Sequence, residues 1–344
     1  MMPDTFIGNR IEEWSWRLLD ARDRPIRPLT NVKDGRVEQN VNAVIRGGGS
    51  VTIQGDPLDW GRNRVQPWVT VNGTSWPVGV FLFASPMEKN SDTGRFFDVG
   101  LLDKLSIMDA DKLANTYSVA AGFLVTNVVE DLIHEVGETN ISVTPSSLTT
   151  RSQIVWPAGT SRLRIINDLL DSINYFSLWV DGYGTYRVEP YLRPSQRAIT
   201  RSFERGKTAI HRSSWTRDQD TASVPNRVVM TSQSTEDDLV LVGVAENRNE
   251  SSPYSYPSRG YRWVTHVEDG VEAASREVLN DLAQQKLTAL SNPVTTVQVE
   301  HAIIPFNLND VVLFQNMRHV VAGYSITTRP GSLVSATWKQ ATDE

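Results

Sequence analysis

The sequence has no cysteine. That single absence removes disulfides, thiolate nucleophiles and every cysteine-based metal site. Such a chain folds equally well in reducing and in oxidising surroundings. Long apolar runs are missing too: no stretch approaches the ~18–20 apolar residues that span a bilayer. The start, Met1-Met2-Pro3-Asp4-Thr5, lacks a basic region followed by an apolar core, so no cleaved secretory signal is expected. Positive charge is not in excess. With 34 Lys and Arg against 40 Asp and Glu, the net charge is −6, and a broad basic face for non-specific DNA binding is not expected.

The usual marks of chemistry are also missing. The five histidines are His134, His211, His266, His301 and His319. None stands in an H-x-x-x-H pattern and none has a second histidine within ten residues, so no metal site is read. His134 in a predicted helix and His301 in a predicted strand read as structural. There is no G-x-S-x-G, no P-loop, and no S-x-x-K at a helix start. Gly47-Gly48-Gly49-Ser50 has no helix after it to cradle a phosphate, and reads as a bulge or hairpin tip. Asp168 and Asp171 lie three apart on the wet face of a helix, and Glu236-Asp237-Asp238 reads as a solvated turn. A glycosidase pair comes from separate strands at a defined separation. No catalytic residue, cofactor-binding residue or metal ligand is therefore assigned.

What is present is ordinary for a soluble protein: 344 residues, 40% hydrophobic and 22% charged, enough for two or three domains. Ten tryptophans are many for this length. Exposed tryptophans can stack on sugars, and Trp14 and Trp16 share a face if their stretch is a strand. Trp179 and Trp338 sit in alternating apolar runs, where packing is the default role.

Residues 1–113 read as strands and turns. Val41, Ala43 and Ile45 alternate with Asn42, Val44 and Arg46; the glycines interrupt, and residues 51–54 resume the alternation. Asn72-Gly73 between residues 68–71 and 78–83 is a hairpin signal, because both turn residues tolerate positive φ. Residues 114–205 read as α+β. Ser118 is the expected cap of a helix with Val125, Val128, Val129, Leu132, Ile133 and Val136 on one face, stopped by Gly137. A second helix from about Thr160 uses Leu163, Ile166, Leu170 and Ile173. An aromatic strand (175–180), an Asp181-Gly182-Tyr183-Gly184 turn and a returning strand (185–189) follow. Residues 206–344 return to strands at 226–230, 239–242, 296–304, 311–314 and a closing hairpin at 319–339. They carry an insertion at about 235–292: a polar loop at 246–257, then a helix at 271–290 with Val278, Leu279, Leu282 and Leu287 inward, ended by Pro293.

Two stretches carry a resemblance. Residues 163–191 resemble a segment recurrent in tail-hub, or minor tail, proteins of long-tailed bacteriophages, especially those of actinobacteria. There an amphipathic helix leads into an aromatic strand, an Asp-Gly turn and a strand ending in Glu-Pro-Tyr. Here Leu169-Leu170 and Ile173-Asn174-Tyr175-Phe176 supply the first half, and Trp179-Val180-Asp181-Gly182 and Val188-Glu189-Pro190-Tyr191 the second. Phe306-Asn307-Leu308-Asn309-Asp310-Val311-Val312 is similar to the family's Leu-x-Asp-x-Val strand start. It has Asn309 where glycine is usual, the next residue most tolerant of left-handed geometry.

The resemblance implies a mainly β subunit with two small β-barrel domains, an α+β domain and an inserted helix. Such hubs are trimers whose six barrels match the six-fold tail tube and taper to three-fold symmetry below. It implies a structural role at the virion tail tip, assembled in the bacterial cytoplasm, in host attachment and genome ejection. The implied partners are two further copies, a distal tail or tail-tube protein, the tape-measure protein and a tip or fibre protein. Genomic DNA passes without specific binding, which the acidic balance suits. Related hubs often continue into a fibre or a peptidoglycan-cleaving domain. This chain stops at Glu344, soon after the closing hairpin, so no such appendage and no enzymatic activity are expected. The other readings are a hexameric distal tail protein, a carbohydrate- or receptor-binding module, and a hydrolase.

Overall fold

The computed structural model describes residues 6–231, 241–271, 275–291 and 295–341. The chain is mainly β, 44% strand and 14% helix, with mostly antiparallel sheets. It divides into two compact units. One is drawn from the chain up to Thr216 and again from Gln298 onward; the other is Arg217–Val297.

The first unit is organised by a sheet in which the two ends of the chain meet. Met317–Thr327 and Leu333–Gln340 form the closing hairpin, and Met317–Thr327 pairs antiparallel with Val32–Asn40. From there the order is Gly47–Gln54, Gly94–Asp103, Phe81–Ser91, Arg64–Val71, Glu12–Leu19 and Pro25–Pro28. Among the described residues this pairing is a path rather than a ring. Alternation explains its core: Val37, Val51, Ile53, Val65, Val69, Phe81, Val99, Ile326, Val334 and Trp338 are all buried.

The hairpin signal at Asn72-Gly73 holds. Both residues have positive φ, 49° and 83°, and Val71 pairs with Thr74. The returning strand is Thr74–Pro77, earlier than expected. The reading of residues 41–54 is corrected. Residues 41–46 turn, and the glycines lie inside the strand Gly47–Gln54. The reason is space between neighbours on both sides. A Cβ on Gly49, whose φ is +151°, would overlap the Arg36 carbonyl oxygen, and one on Gly48 would lie 3.0 Å from that of Leu101.

Three helices share one core. Helix α1, Leu105–Ala110, closes the first region, which reads from sequence as strands and turns only; α2, Val125–Glu135, and α3, Arg162–Ser172, lie in the α+β segment. The apolar faces of α2 and α3 bury Val125, Val129, Leu132, Ile133, Leu163, Ile166 and Leu170 in one cluster with Tyr186 and Val188. Ser161 caps α3 by accepting the Arg164 N–H. Ser118 does not cap α2. It lies in the strand Tyr117–Val119, paired with Ile154–Trp156, because Tyr117 and Val119 are needed on the core side. Gly137, at φ +84°, ends the α2 turn by donating to the His134 carbonyl.

The second unit is a three-stranded sheet, Val242–Glu246, Arg227–Thr231 and Thr265–Glu268, under helix α4, Arg276–Ala289. The predicted strand at 239–242 falls partly, and Pro293 wholly, outside the described residues. Leu279, Ala283 and Leu287, spaced four apart, face the sheet, and Leu282 packs beside them. Val278 is exposed, not inward, since it lies about 100° round the helix from that row. The helix axis comes close because residue 243 is glycine: a Cβ there would sit 2.6 Å from the Leu279 backbone carbon.

Candidate functional site

The densest chemistry lies where the α+β segment meets the large sheet. Lys104 follows the last sheet strand of the first region and is wholly buried. Its ammonium bonds Asp23 at 2.5 Å, Glu138 at 2.7 Å and the Gly184 carbonyl at 2.9 Å. Arg64 bonds the same two carboxylates, Asp23 at 2.6 Å and Glu138 at 2.5 Å. The Tyr186 ring lies 4.7 Å from the ammonium, and its hydroxyl donates to the Lys104 carbonyl. Two cations thus meet two anions, and each is held by more than one partner. Burial works against the Glu138 carboxylate, yet the bonds from Arg64 and Lys104 outweigh it and hold its pKa below the ordinary 4.5. Burial pushes the Tyr186 phenol far up. With its lysine closed off from solvent, the cluster is a pin between layers.

The Asp181-Gly182-Tyr183-Gly184 turn belongs to the same joint. Asp181 accepts the Tyr183 and Thr185 N–H groups, which shapes the turn. A Cβ on Gly182 would lie 2.5 Å from the Pro77 carbonyl oxygen, and one on Gly184 2.7 Å from Val80. The expected hairpin is present, with Trp179 opposite Arg187 and Val180 opposite Tyr186. Its glycines serve the docking of the hairpin onto the sheet as well as the turn. Asn309 takes the left-handed conformation, φ 66°, and Asp310 behind it accepts the Asn307 N–H.

Sequence reading missed the pin because Asp23, Arg64, Lys104 and Glu138 come from four separate segments. The one available signal was a lysine inside an apolar run, Leu101-Leu102-Asp103-Lys104-Leu105. Neighbouring Asp103 accepts the Gly47 and Leu105 N–H groups, and burial raises its pKa to about 6.

Three of the scattered histidines do come together. His211, His301 and His319 surround Trp338, Phe203 and Phe314, with His301 5.0 Å from Phe203 and 5.7 Å from Trp338. His301 is fully buried, and burial lowers its pKa to about 4. This is an aromatic core. Among the described residues no group of His, Asp and Glu has the arrangement of a metal site. His134 is exposed at the end of α2, and His266 lies 3.7 Å from Glu268. Asp168 bonds the Trp156 indole and pairs with Arg164, while Asp171 is exposed; residues 236–238 lie outside the described residues.

None of the ten tryptophans is exposed. Trp14 and Trp16 share a face of Glu12–Leu19 as expected, Trp338 is buried, and Trp179 is half-buried with Arg187 above its ring. The 246–257 loop is held by hydrogen-bonded turns and by Tyr256 stacked on Trp263 at 3.9 Å.

Surfaces suited to assembly lie elsewhere. Phe123, Leu124 and Leu148 are all exposed, on two segments joined by the Val125-to-Leu148 and Thr150-to-Phe123 backbone bonds. Ile199–Phe203 pairs parallel with Val311–Phe314 on one side only among the described strands. That strand branches off the main sheet path, one limit of which, Pro25–Pro28, begins and ends in proline, which has no N–H to offer a further strand.

No protein-family profile matches this sequence, and no curated protein matches it. The fold does match solved structures. A tail protein from Neisseria meningitidis MC58 superimposes with a TM-score of 0.65 at 11% identity, over 96% of this chain and 97% of that one. The 43 kDa tail protein of prophage MuSo2 from Shewanella oneidensis gives 0.64 at 10% identity, over 95% and 98%. Prophage tail protein gp18 from Listeria monocytogenes EGD-e gives 0.56 at 12%, over 96% and 95%. The chain therefore has the fold of phage tail proteins. The resemblance carried by residues 163–191 and 306–312 extends, as fold, over nearly its whole length.

Proposed function

We propose that this protein is a structural hub of a bacteriophage tail tip, a trimer that closes the distal end of the tail tube and joins it to tip or fibre proteins. The observation that carries the reading is the likeness of fold to three tail proteins over at least 95% of the chain. In this reading residues 1–113 and 206–344 act as two barrel-like hub modules and residues 114–205 as the domain between them. Pairing of Val32–Asn40 with Met317–Thr327 supports treating the two strand-rich parts as one ring-forming body. The buried charge pin supports a rigid joint between the modules and the α+β domain.

The subunit contacts proposed are the Phe123, Leu124 and Leu148 patch and the open Ile199–Phe203 edge, each of which ring closure would cover. The role is non-enzymatic and virion-associated, with distal tail or tail-tube protein above, the tape-measure protein inside, and DNA passing without specific binding. Support for a structural role comes from a buried lysine and histidines committed to packing. The test is the copy number of the purified chain, alone and with tail-tube protein, by native mass measurement and electron microscopy. Three copies support the hub. Six copies indicate a distal tail ring, and a monomer that neither binds tail tube nor enters virions refutes both.

A further inference from the structure

An open cleft of about 490 Å³ lies between the end of the helix–hairpin segment and the closing hairpin. Val320 lines it, as do Phe176 and Tyr191, which meet edge to face at 5.1 Å. Among the described residues three cations line it, Arg193, Arg197 and Lys339, and no carboxylate does. That is unusual placement in a chain with a net charge of −6.

Arg197 is the centre of the site. Its guanidinium lies over both rings, 5.1 Å from Phe176 and 5.6 Å from Tyr191. It donates to two carbonyl oxygens, of Leu192 and Asn309, each at 2.7 Å. Among the described residues it has no ion pair. Asp310, which contributes to its field, accepts the Asn307 N–H. Burial lowers the Arg197 pKa, the sign of a cation held partly out of water. Lys339 also lines the cleft, and among the described residues its ammonium bonds a neutral amide, that of Asn42, at 3.1 Å.

We propose that this cleft receives an acidic peptide segment of a partner protein, with a carboxylate between the cations and an apolar side chain on the Phe176–Tyr191 wall. A carboxylate suits guanidinium and ammonium donors, and desolvated charge pairs contribute more than exposed ones. The volume is that of a small-ligand or short-peptide site and is too small to seat a nucleic-acid duplex. The apolar wall favours a side chain over a bare phosphate. The inference does not depend on the trimeric hub, because one subunit carries the whole cleft.

The test uses the full chain and a fluorescein-labelled octapeptide with glutamates flanking a central phenylalanine, read by fluorescence anisotropy. Its lysine-for-glutamate counterpart is the control. The glutamate peptide should bind, the lysine peptide should not, and Arg193→Glu with Lys339→Glu should weaken binding by at least about tenfold. Unchanged thermal unfolding of the variant checks its fold. If the double variant unfolds, hydrogen exchange on the unaltered chain decides: residues 193–197 and 339–341 should gain protection on adding the glutamate peptide. Equal binding of the two peptides, an unchanged affinity in the folded variant, protection elsewhere only, or displacement by an oligonucleotide of equal charge at lower concentration would overturn the proposal.

Discussion

At the scale of single residues, the joint between sheet and α+β segment rests on a few atoms. Gly182 gives the turn room against the Pro77 carbonyl, a backbone atom that cannot rotate away. Gly182→Ala should therefore cost about 1–3 kcal/mol by chemical denaturation. Gly73→Ala meets no neighbouring atom and should cost only the ~1 kcal/mol of its left-handed conformation. Glu138→Gln leaves Lys104 and Arg64 facing a single carboxylate. A loss of about 3–5 kcal/mol is expected, since removing one partner strands a buried charge. Equal, small losses for Gly182→Ala and Gly73→Ala would remove the docking argument.

His301 adds a pH dependence whose direction follows from its burial. Its pKa falls from 6.5 to about 4 on folding. The unfolded chain therefore takes up a proton between those values that the folded chain refuses. Stability from this group is complete above pH 6.5 and is lost as the pH falls toward 4, by about 3 kcal/mol in all. Asp103 runs the other way: with its pKa raised to about 6, it costs stability as the pH rises from 3.8 to 6. The two partly offset, so the unaltered chain hides both. His301→Phe keeps an aromatic ring beside Phe203 and Trp338 and removes one slope. Relative to the unaltered chain, its melting temperature should fall less between pH 6.5 and 4.5; parallel curves would refute the assignment.

At the scale of elements, legibility followed the range of the interaction. The α3 helix and the Asn72-Gly73 turn were readable because their determinants are local: periodicity and two residues tolerant of positive φ. The glycines at 47–49 and Ser118 misled because their roles are set by partners distant in sequence, Arg36 and Leu101 in one case and residues 154–156 in the other. The charge pin and the basic cleft were illegible for the same reason: each assembles residues from at least three segments. The Phe123, Leu124 and Leu148 patch gives this scale its prediction. Phe123→Asp with Leu148→Asp should leave the melting temperature within a few degrees, as both side chains face solvent, yet abolish assembly. Light scattering on the purified variant checks this; an assembly of normal mass would move the contact elsewhere.

At the scale of the molecule, the striped strands and the two amphipathic helices made the mainly β class with an α+β part readable. The joining of the chain's two ends into one sheet was not. No local pattern in residues 32–40 names 317–327 as its neighbour. That pairing ties early and late residues together, so folding should be slow for the chain length, with much of the sheet waiting on its last hairpin. The sheet path ends in proline-blunted Pro25–Pro28, Ile199–Phe203 branches off it with one side unpaired among the described strands, and Phe123, Leu124 and Leu148 are exposed on two separate segments.

The direct test of the central claim is the symmetry of particles formed by the purified chain in the presence of tail-tube protein, seen by electron microscopy and weighed by native mass measurement. The account predicts a ring of three copies seated on the end of the tube. A chain that stays monomeric and leaves the tube end bare would contradict it.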